Sequence, residues 1–167
     1  MQSATMTPLS EYLSTSYRPD CDYLDGVVLE RNVGERDHSR TQTLLAGYFL
    51  SREERWGVRV FTEQRIQVRP TRFRVPDICV VLGETPGEQT FTSPPLLCIE
   101  ILSPSDRLGE MQDRVGDYLA FGVKHVWLVN PQTRKAFVCD RDGLHEVKDG
   151  VLRASSEIVL PLSEIPL

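Results

Sequence analysis

Cysteine is sparse in this chain, long apolar runs are absent, and there is no surplus of positive charge. The 167 residues include four cysteines, Cys21, Cys79, Cys98 and Cys139. None forms a CxxC pair, which argues against a zinc site. Cys79 and Cys98 lie in apolar, strand-like stretches. All four therefore read as buried free thiols in a reducing compartment. No segment is long and apolar enough to cross a membrane. The opening residues, MQSATMTPLSEYL, lack the apolar core of a signal peptide. A cytoplasmic location is expected. The formal net charge of −5 speaks against a large phosphate-tracking surface but leaves room for a local basic cleft. Repeats, low-complexity tracts and linkers are missing too.

What is present fits one globular domain over 1–167 with a real core. TPLSEYLSTS reads as a short helix, with Thr7 as N-cap and Pro8 at the first helical position. Asp25-Gly26 predicts a hairpin turn between Tyr23-Leu24 and Val27-Val28-Leu29. Leu44, Leu45, Tyr48 and Phe49 recur at helical spacing, which predicts one long helix over Asp37–Arg55. VRVFTEQRIQVRP, RFRVPDICVVLGE and PPLLCIEIL then read as strand runs. The last is apolar on both faces and should be central. LGEMQDRVGDYLAFGV predicts a helix stopped at Gly122. HVWLVNP follows as a buried strand, then come hairpins with turns at Asp142-Gly143 and Asp149-Gly150. A helix between two buried strands suggests a right-handed crossover in a mixed sheet. The expected class is α/β, a mixed central sheet flanked by helices, with extra hairpins at both ends.

Glu100 is out of place in this pattern, an acid between Ile99 and Ile101. Strand alternation puts Leu96, Cys98, Glu100 and Leu102 on one face. Asp77, after Pro76, belongs to the preceding strand run. If the two strands are sheet neighbours, both carboxylates converge. Two acids near an apolar sheet repel one another and lose hydration, and one takes up a proton unless a cation bridges them. Hard oxygen ligands in a partly open site suit Mg²⁺ or Mn²⁺. The plainer reading stands beside this. Glu100 pairs with an arginine in the core, and Pro76-Asp77 starts a strand.

The blocks VPDICVV (75–81), PLLCIEILSPS (95–105), YLAFGV (118–123) and VWLVNP (126–131) resemble the Uma-two family. Tyr23-Leu24-Asp25-Gly26 and Asp37-His38 fit the same pattern. These are restriction-endonuclease-like proteins of the PD-(D/E)XK nuclease superfamily. The resemblance covers nearly the whole chain. It implies a mixed sheet flanked by helices, with the site where the second and third core strands meet. It implies metal-dependent hydrolysis of a DNA phosphodiester, with Mg²⁺ or Mn²⁺ as cofactor. By the resemblance, Asp77 and Glu100 are metal ligands and the Ile101 carbonyl is a third. An acid at the start of the first long helix completes such sites. Asp37 and Glu35 are the candidates, with His38 beside them.

The chain departs from that pattern at one place. The superfamily lysine falls two positions after Glu100, where this chain has Leu102. The family commonly supplies it from the following helix instead, and that position holds Arg114, four residues before Tyr118. Residues i and i+4 share a helix face, so Arg114 can point at the site. Arginine keeps its proton and is no general base, but it can stabilise phosphate charge. Two functions from different classes follow. One is a DNA endonuclease, slow for want of the lysine. The other is a catalytically silent nucleic-acid-binding or oligomeric module on the same fold. A homodimer suits the first, since two strands are easier to cut with two sites. Arg69, Arg72 and Arg74 read either as phosphate contacts or as a solvated hairpin tip. His125 and Trp127 read as structural, and His145 as an exposed residue of a late hairpin.

Overall fold

The computed structural model of the chain describes residues 5–31 and 34–167. Helix α1, Leu9–Ser14, precedes strands β1, Asp22–Leu24, and β2, Val27–Leu29. Asp25 and Gly26, both at positive φ, make the expected turn between them. The helix starts one residue later than predicted, with Pro8 as N-cap. The reason is tertiary: the Thr7 N–H is bound by the Gly26 carbonyl at 2.8 Å.

Helix α2 covers Arg36–Leu50, and a short α3 covers Glu53–Trp56. The single helix expected over 37–55 is therefore broken. Arg52 takes φ −118° and ψ 0°. Its guanidinium donates to the Tyr48 carbonyl at 3.0 Å and lies 3.7 Å from the centre of the Tyr48 ring. The Glu53 carboxylate accepts the Val60 N–H at 2.8 Å, which draws α3 onto the next strand. These bonds override a helical pattern that no proline interrupts.

Strands β3, Val58–Thr62, β4, Ile66–Arg69, β5, Arg72–Arg74, β6, Ile78–Leu82, and β7, Leu97–Ile101, come next. Helix α4, Leu108–Phe121, leads to β8, His125–Asn130, β9, Lys135–Asp140, β10, Gly143–Glu146, β11, Val151–Arg153, and β12, Val159–Pro161. The central sheet has the order β10-β9-β8-β7-β6-β3. In it β7 and β8 are parallel and the other neighbours antiparallel. Parallel neighbours need a long crossover, which α4 supplies. Gly122 ends that helix in the left-handed region, at φ 111°.

The run from Arg72 to Leu82 reads as one strand and folds as two. β5 belongs to a four-stranded sheet, order β2-β1-β5-β4, and β6 to the central one. Val75-Pro76-Asp77 separates them. Pro76 has no N–H to offer a ladder, and the Val75 N–H is bound by Asp22 Oδ1 at 2.9 Å. The break places Asp77 at the seam between two sheets.

Two apolar layers enclose the central sheet. Leu97, Ile99 and Ile101 pack with Leu45 and Phe49 of α2 and with Trp127. Leu152 and Leu160, from the β11–β12 hairpin, complete that side. Cys79 and Cys98 face the other side, against Met111 and Tyr118 of α4. All four cysteines are buried and unpaired. The fold is thus the mixed α/β architecture read from the sequence, with β1–β2 added at one end and the late hairpins at the other. No helix of the described residues is long and apolar enough to cross a membrane.

Candidate active site

β6 and β7 are antiparallel neighbours, with Ile78 opposite Ile99. One residue further along that register, Asp77 stands opposite Glu100. Alternation puts both side chains on the α4 side of the sheet, with Cys79 and Cys98. The two acids are almost closed off from solvent, Asp77 at 3% and Glu100 at 1% exposure.

Both oxygens of Glu100 are bound from one face of α4. The Tyr118 hydroxyl donates to Oε1 at 2.6 Å, and Arg114 Nη1 donates to Oε2 at 3.2 Å. Burial, opposed by the Arg114 charge and reinforced by that of Asp77, pushes the Glu100 carboxyl up to about 7.

Asp77 is held differently. Its Oδ1 pairs with Arg31 Nη2. Its Oδ2 lies 3.2 Å from His38 Nε2 and accepts the Ile101 N–H at 2.8 Å. Gln42 Nε2 donates to its carbonyl at 3.0 Å. Burial works against ionisation here too. The His38 hydrogen bond, the Arg31 charge and the Ile101 N–H outweigh it and hold the Asp77 carboxyl below its ordinary range. The same hydrogen bond raises the His38 imidazole, against its own desolvation. Neighbouring acids with opposite shifts are a mark of functional sites.

A third acid, Asp22, stands behind Arg114 and is fully buried. Its Oδ2 lies 3.2 Å from Arg114 Nη2 and 3.0 Å from Arg74 Nη1. Arg74 Nε in turn donates to Asp117 Oδ2 of α4 at 2.8 Å. The charges alternate from Glu100 through Arg114, Asp22 and Arg74 to Asp117. This chain fastens α4 to β1 and β5, and so fixes where Arg114 and Tyr118 point.

Of the residues singled out in the sequence, Asp77, Glu100, Ile101, His38 and Arg114 come together. Ile101 enters through its N–H. Asp37 does not join them: it is half-exposed and pairs with Arg36 at 2.9 Å. Glu35 is the exposed N-cap of α2. Arg69, Pro70 and Thr71 form an exposed hairpin tip, as one of the two readings had it, whereas Arg72 and Arg74 are tied inward to Asp117. His145 is exposed and pairs with Asp140 at 3.0 Å. Trp127 is fully buried core. Sequence reasoning missed Asp22, Arg31 and Glu63. Asp22 carried the same signal as Glu100, an acid in an apolar strand. Arg31 and Glu63 lie in irregular segments with no periodicity to mark them.

Arg31, His38, Gln42, Asp77, Ile101 and Arg114 line a cleft of about 180 Å³, together with Glu63. Paired carboxylates are the hard donors that Mg²⁺ or Mn²⁺ prefers. The Glu100 carboxyl is raised chiefly by burial, with the Asp77 charge adding to it, and a cation at the pair would favour its ionised form. The oxygens of both acids, however, already face guanidinium, imidazole, hydroxyl or N–H groups. No cluster of three or more His, Cys, Asp or Glu suited to a metal occurs among the described residues. The donor set fits an ion held by two carboxylates and water, in competition with Arg31 and Arg114.

A mixed sheet flanked by helices, with two buried acids facing each other across adjacent core strands, places the chain among restriction-endonuclease-like folds. The family model of Uma2, "Putative restriction endonuclease", matches residues 9–167, and the chain belongs to that family. It is also similar to a solved structure described as "a putative nuclease belonging to DUF820" from Anabaena variabilis ATCC 29413. The TM-score is 0.78 and the identity 23%, over 94% of this chain and 96% of that one. No curated protein matches the chain.

Proposed function

We propose that this chain is a metal-dependent DNA endonuclease, one domain over 1–167, that hydrolyses phosphodiester bonds in the cleft beside Asp77. The observation that carries this reading is the pair of buried acids, Asp77 and Glu100, opposed across β6 and β7. Asp77, Glu100 and the Ile101 carbonyl would hold the cation. A bound Mg²⁺ or Mn²⁺ supplies an activated water and offsets charge on the phosphate. The chain's own residues prepare the site. His38 and the Ile101 N–H orient Asp77. Tyr118 and Arg114 orient Glu100. Arg114 remains protonated and takes no proton from water, which makes the enzyme slow. Four buried thiols suit a reducing cytoplasm, and a homodimer would present two clefts to two strands.

A second reading has its own support. Arg31 and Arg114 already neutralise the two acids, as in a site that has lost cleavage and kept binding. The test is nicking of supercoiled plasmid by wild type, Asp77→Asn and Glu100→Gln, with Mg²⁺, Mn²⁺ or chelator. Metal-dependent nicking by wild type alone is expected. Wild type that binds DNA but cuts none of it with either metal would move the assignment to the silent module.

A further inference from the structure

Arg31 is bound by less than its burial requires. Its side chain is 6% exposed, and Nη2 is engaged by Asp77. Nε and Nη1 are buried and make no hydrogen bond among the described residues. A guanidinium has five N–H donors, and donors shut away from water are normally matched. The chain shows how a satisfied arginine looks. Arg65 donates to both oxygens of Asp20 and to the carbonyls of Tyr12 and Thr15. Arg114 is divided between Asp22 and Glu100, with one buried donor, Nε, left unmatched among the described residues against two on Arg31.

Glu63 stands at the unmatched side. Its Oε1 lies 3.8 Å from Arg31 Nη1, close enough for attraction but too far for a hydrogen bond. Its side chain is 44% exposed and free to swing outward. Its backbone is held at φ 52°, a left-handed conformation uncommon outside glycine. The Glu63 N–H meets the Asp77 carbonyl at 3.3 Å. Glu63 thus sits as a loosely attached internal anion over a buried cation in the cleft wall.

We infer that Arg31 binds an anionic oxygen of a phosphodiester in this cleft, and that the Glu63 carboxylate occupies that position until the ligand displaces it. The choice of a phosphodiester rests on the nuclease reading. The anion site itself rests on the geometry of Arg31. A phosphate oxygen at ordinary hydrogen-bond distance satisfies donors that Glu63 attracts but does not bind, and charge-assisted bonds of this kind are strong. Glu63 is then a built-in competitor, and its removal improves binding.

The probe is the dinucleotide dT-dT, which has a single phosphodiester, titrated calorimetrically in chelator so that neither metal nor turnover enters. A parallel titration of inorganic phosphate separates recognition of the charge from recognition of the nucleoside. The proteins are wild type, Glu63→Gln, Arg31→Gln and, as a control, Arg107→Gln, which removes an exposed ion pair with Glu110. Glu63→Gln should bind dT-dT severalfold tighter than wild type. Arg31→Gln should bind about tenfold more weakly, and the control unchanged. The Arg31 Nε–H resonance of the wild type should shift on titration. The gain from Glu63→Gln cannot come from misfolding, so it protects the test if Arg31→Gln folds poorly. Unchanged affinity in Glu63→Gln, or no saturable binding by any of the proteins, overturns the inference. Plasmid nicking that persists while these titrations stay flat sinks the Arg31 assignment alone. Tight binding by Glu63→Gln without any nicking sinks the nuclease reading alone.

Discussion

The Tyr118 hydroxyl donates to Glu100 at 2.6 Å, with both side chains sealed from solvent. One turn earlier on α4, Arg114 reaches the other oxygen of the same carboxylate. A single helix face therefore sets the position of Glu100, and docking of α4 on the sheet is what builds this half of the site. The other half comes from α2, through His38 and Gln42, and acts on Asp77. The two acids answer to different helices, and their ionisation shifts in opposite directions.

Arg114→Lys should speed metal-dependent plasmid cleavage by about a hundredfold, the lower end for a positioned acid–base group. A lysine ammonium is a compact donor that gives up its proton far more readily than a guanidinium. The same change should cost about 1–3 kcal/mol of stability. One ammonium cannot span both Asp22 and Glu100, which Arg114 bridges at 3.2 Å each. Single-turnover cleavage and urea unfolding measure the two effects separately. Cleavage no faster than wild type would show that the missing lysine does not limit the rate.

Stability should fall as pH rises from about 4.5 to about 7 because of Glu100. Its carboxyl is raised from 4.5 to about 7 in the folded chain, so the folded state holds the proton more tightly than the unfolded one. That contribution is complete below 4.5 and is lost as pH climbs through about 7. The amount is on the order of 3 kcal/mol. Asp77 works the other way, since its carboxyl is lowered, and its contribution is lost only in acid, below 3.8. Glu100→Gln should remove the slope between about 4.5 and 6.5, while His38, whose imidazole is raised from 6.5, still loses its contribution as pH rises further. Urea unfolding of both proteins between about pH 4.5 and pH 6.5 measures the Glu100 slope, and parallel curves would rule out a buried, proton-holding Glu100.

Much of this was legible in the residues. Glu100 stood out because an acid broke the apolar run of β7. The Asp25-Gly26 turn, the helix stop at Gly122 and the double-sided burial of β7 each follow from local chemistry. What escaped was tertiary. The interruption of α2 by α3 depends on Arg52 meeting Tyr48 and on Glu53 meeting Val60, contacts that periodicity does not encode. Tyr118 was legible as core, but its hydroxyl's partner was not. Asp22 and Arg31 join the site from the N-terminal segment, far from Asp77 and Glu100 in sequence. Only the assembled sheets bring them there.

His38 and Asp37 are chain neighbours that the fold separates in role, and substitution should show it. His38 is 13% exposed at its side chain and 3.2 Å from Asp77 Oδ2. Asp37 is 47% exposed at its side chain and bound to Arg36, itself 90% exposed. An exposed ion pair of this kind contributes little. Asp37→Ala should therefore leave cleavage within about twofold of wild type, as expected for a surface change away from special features. His38→Ala takes one donor from a buried carboxylate, a loss of about 1–3 kcal/mol at the site, and should slow cleavage by about tenfold or more. The imidazole's raised pKa comes from Asp77, so the Asp77→Asn variant should titrate His38 at lower pH, which ¹H–¹⁵N NMR of the ring reports. A strong loss in Asp37→Ala with none in His38→Ala would reverse the assignment. It would mean that the acid on the first turn of α2 swings into the cleft when DNA binds.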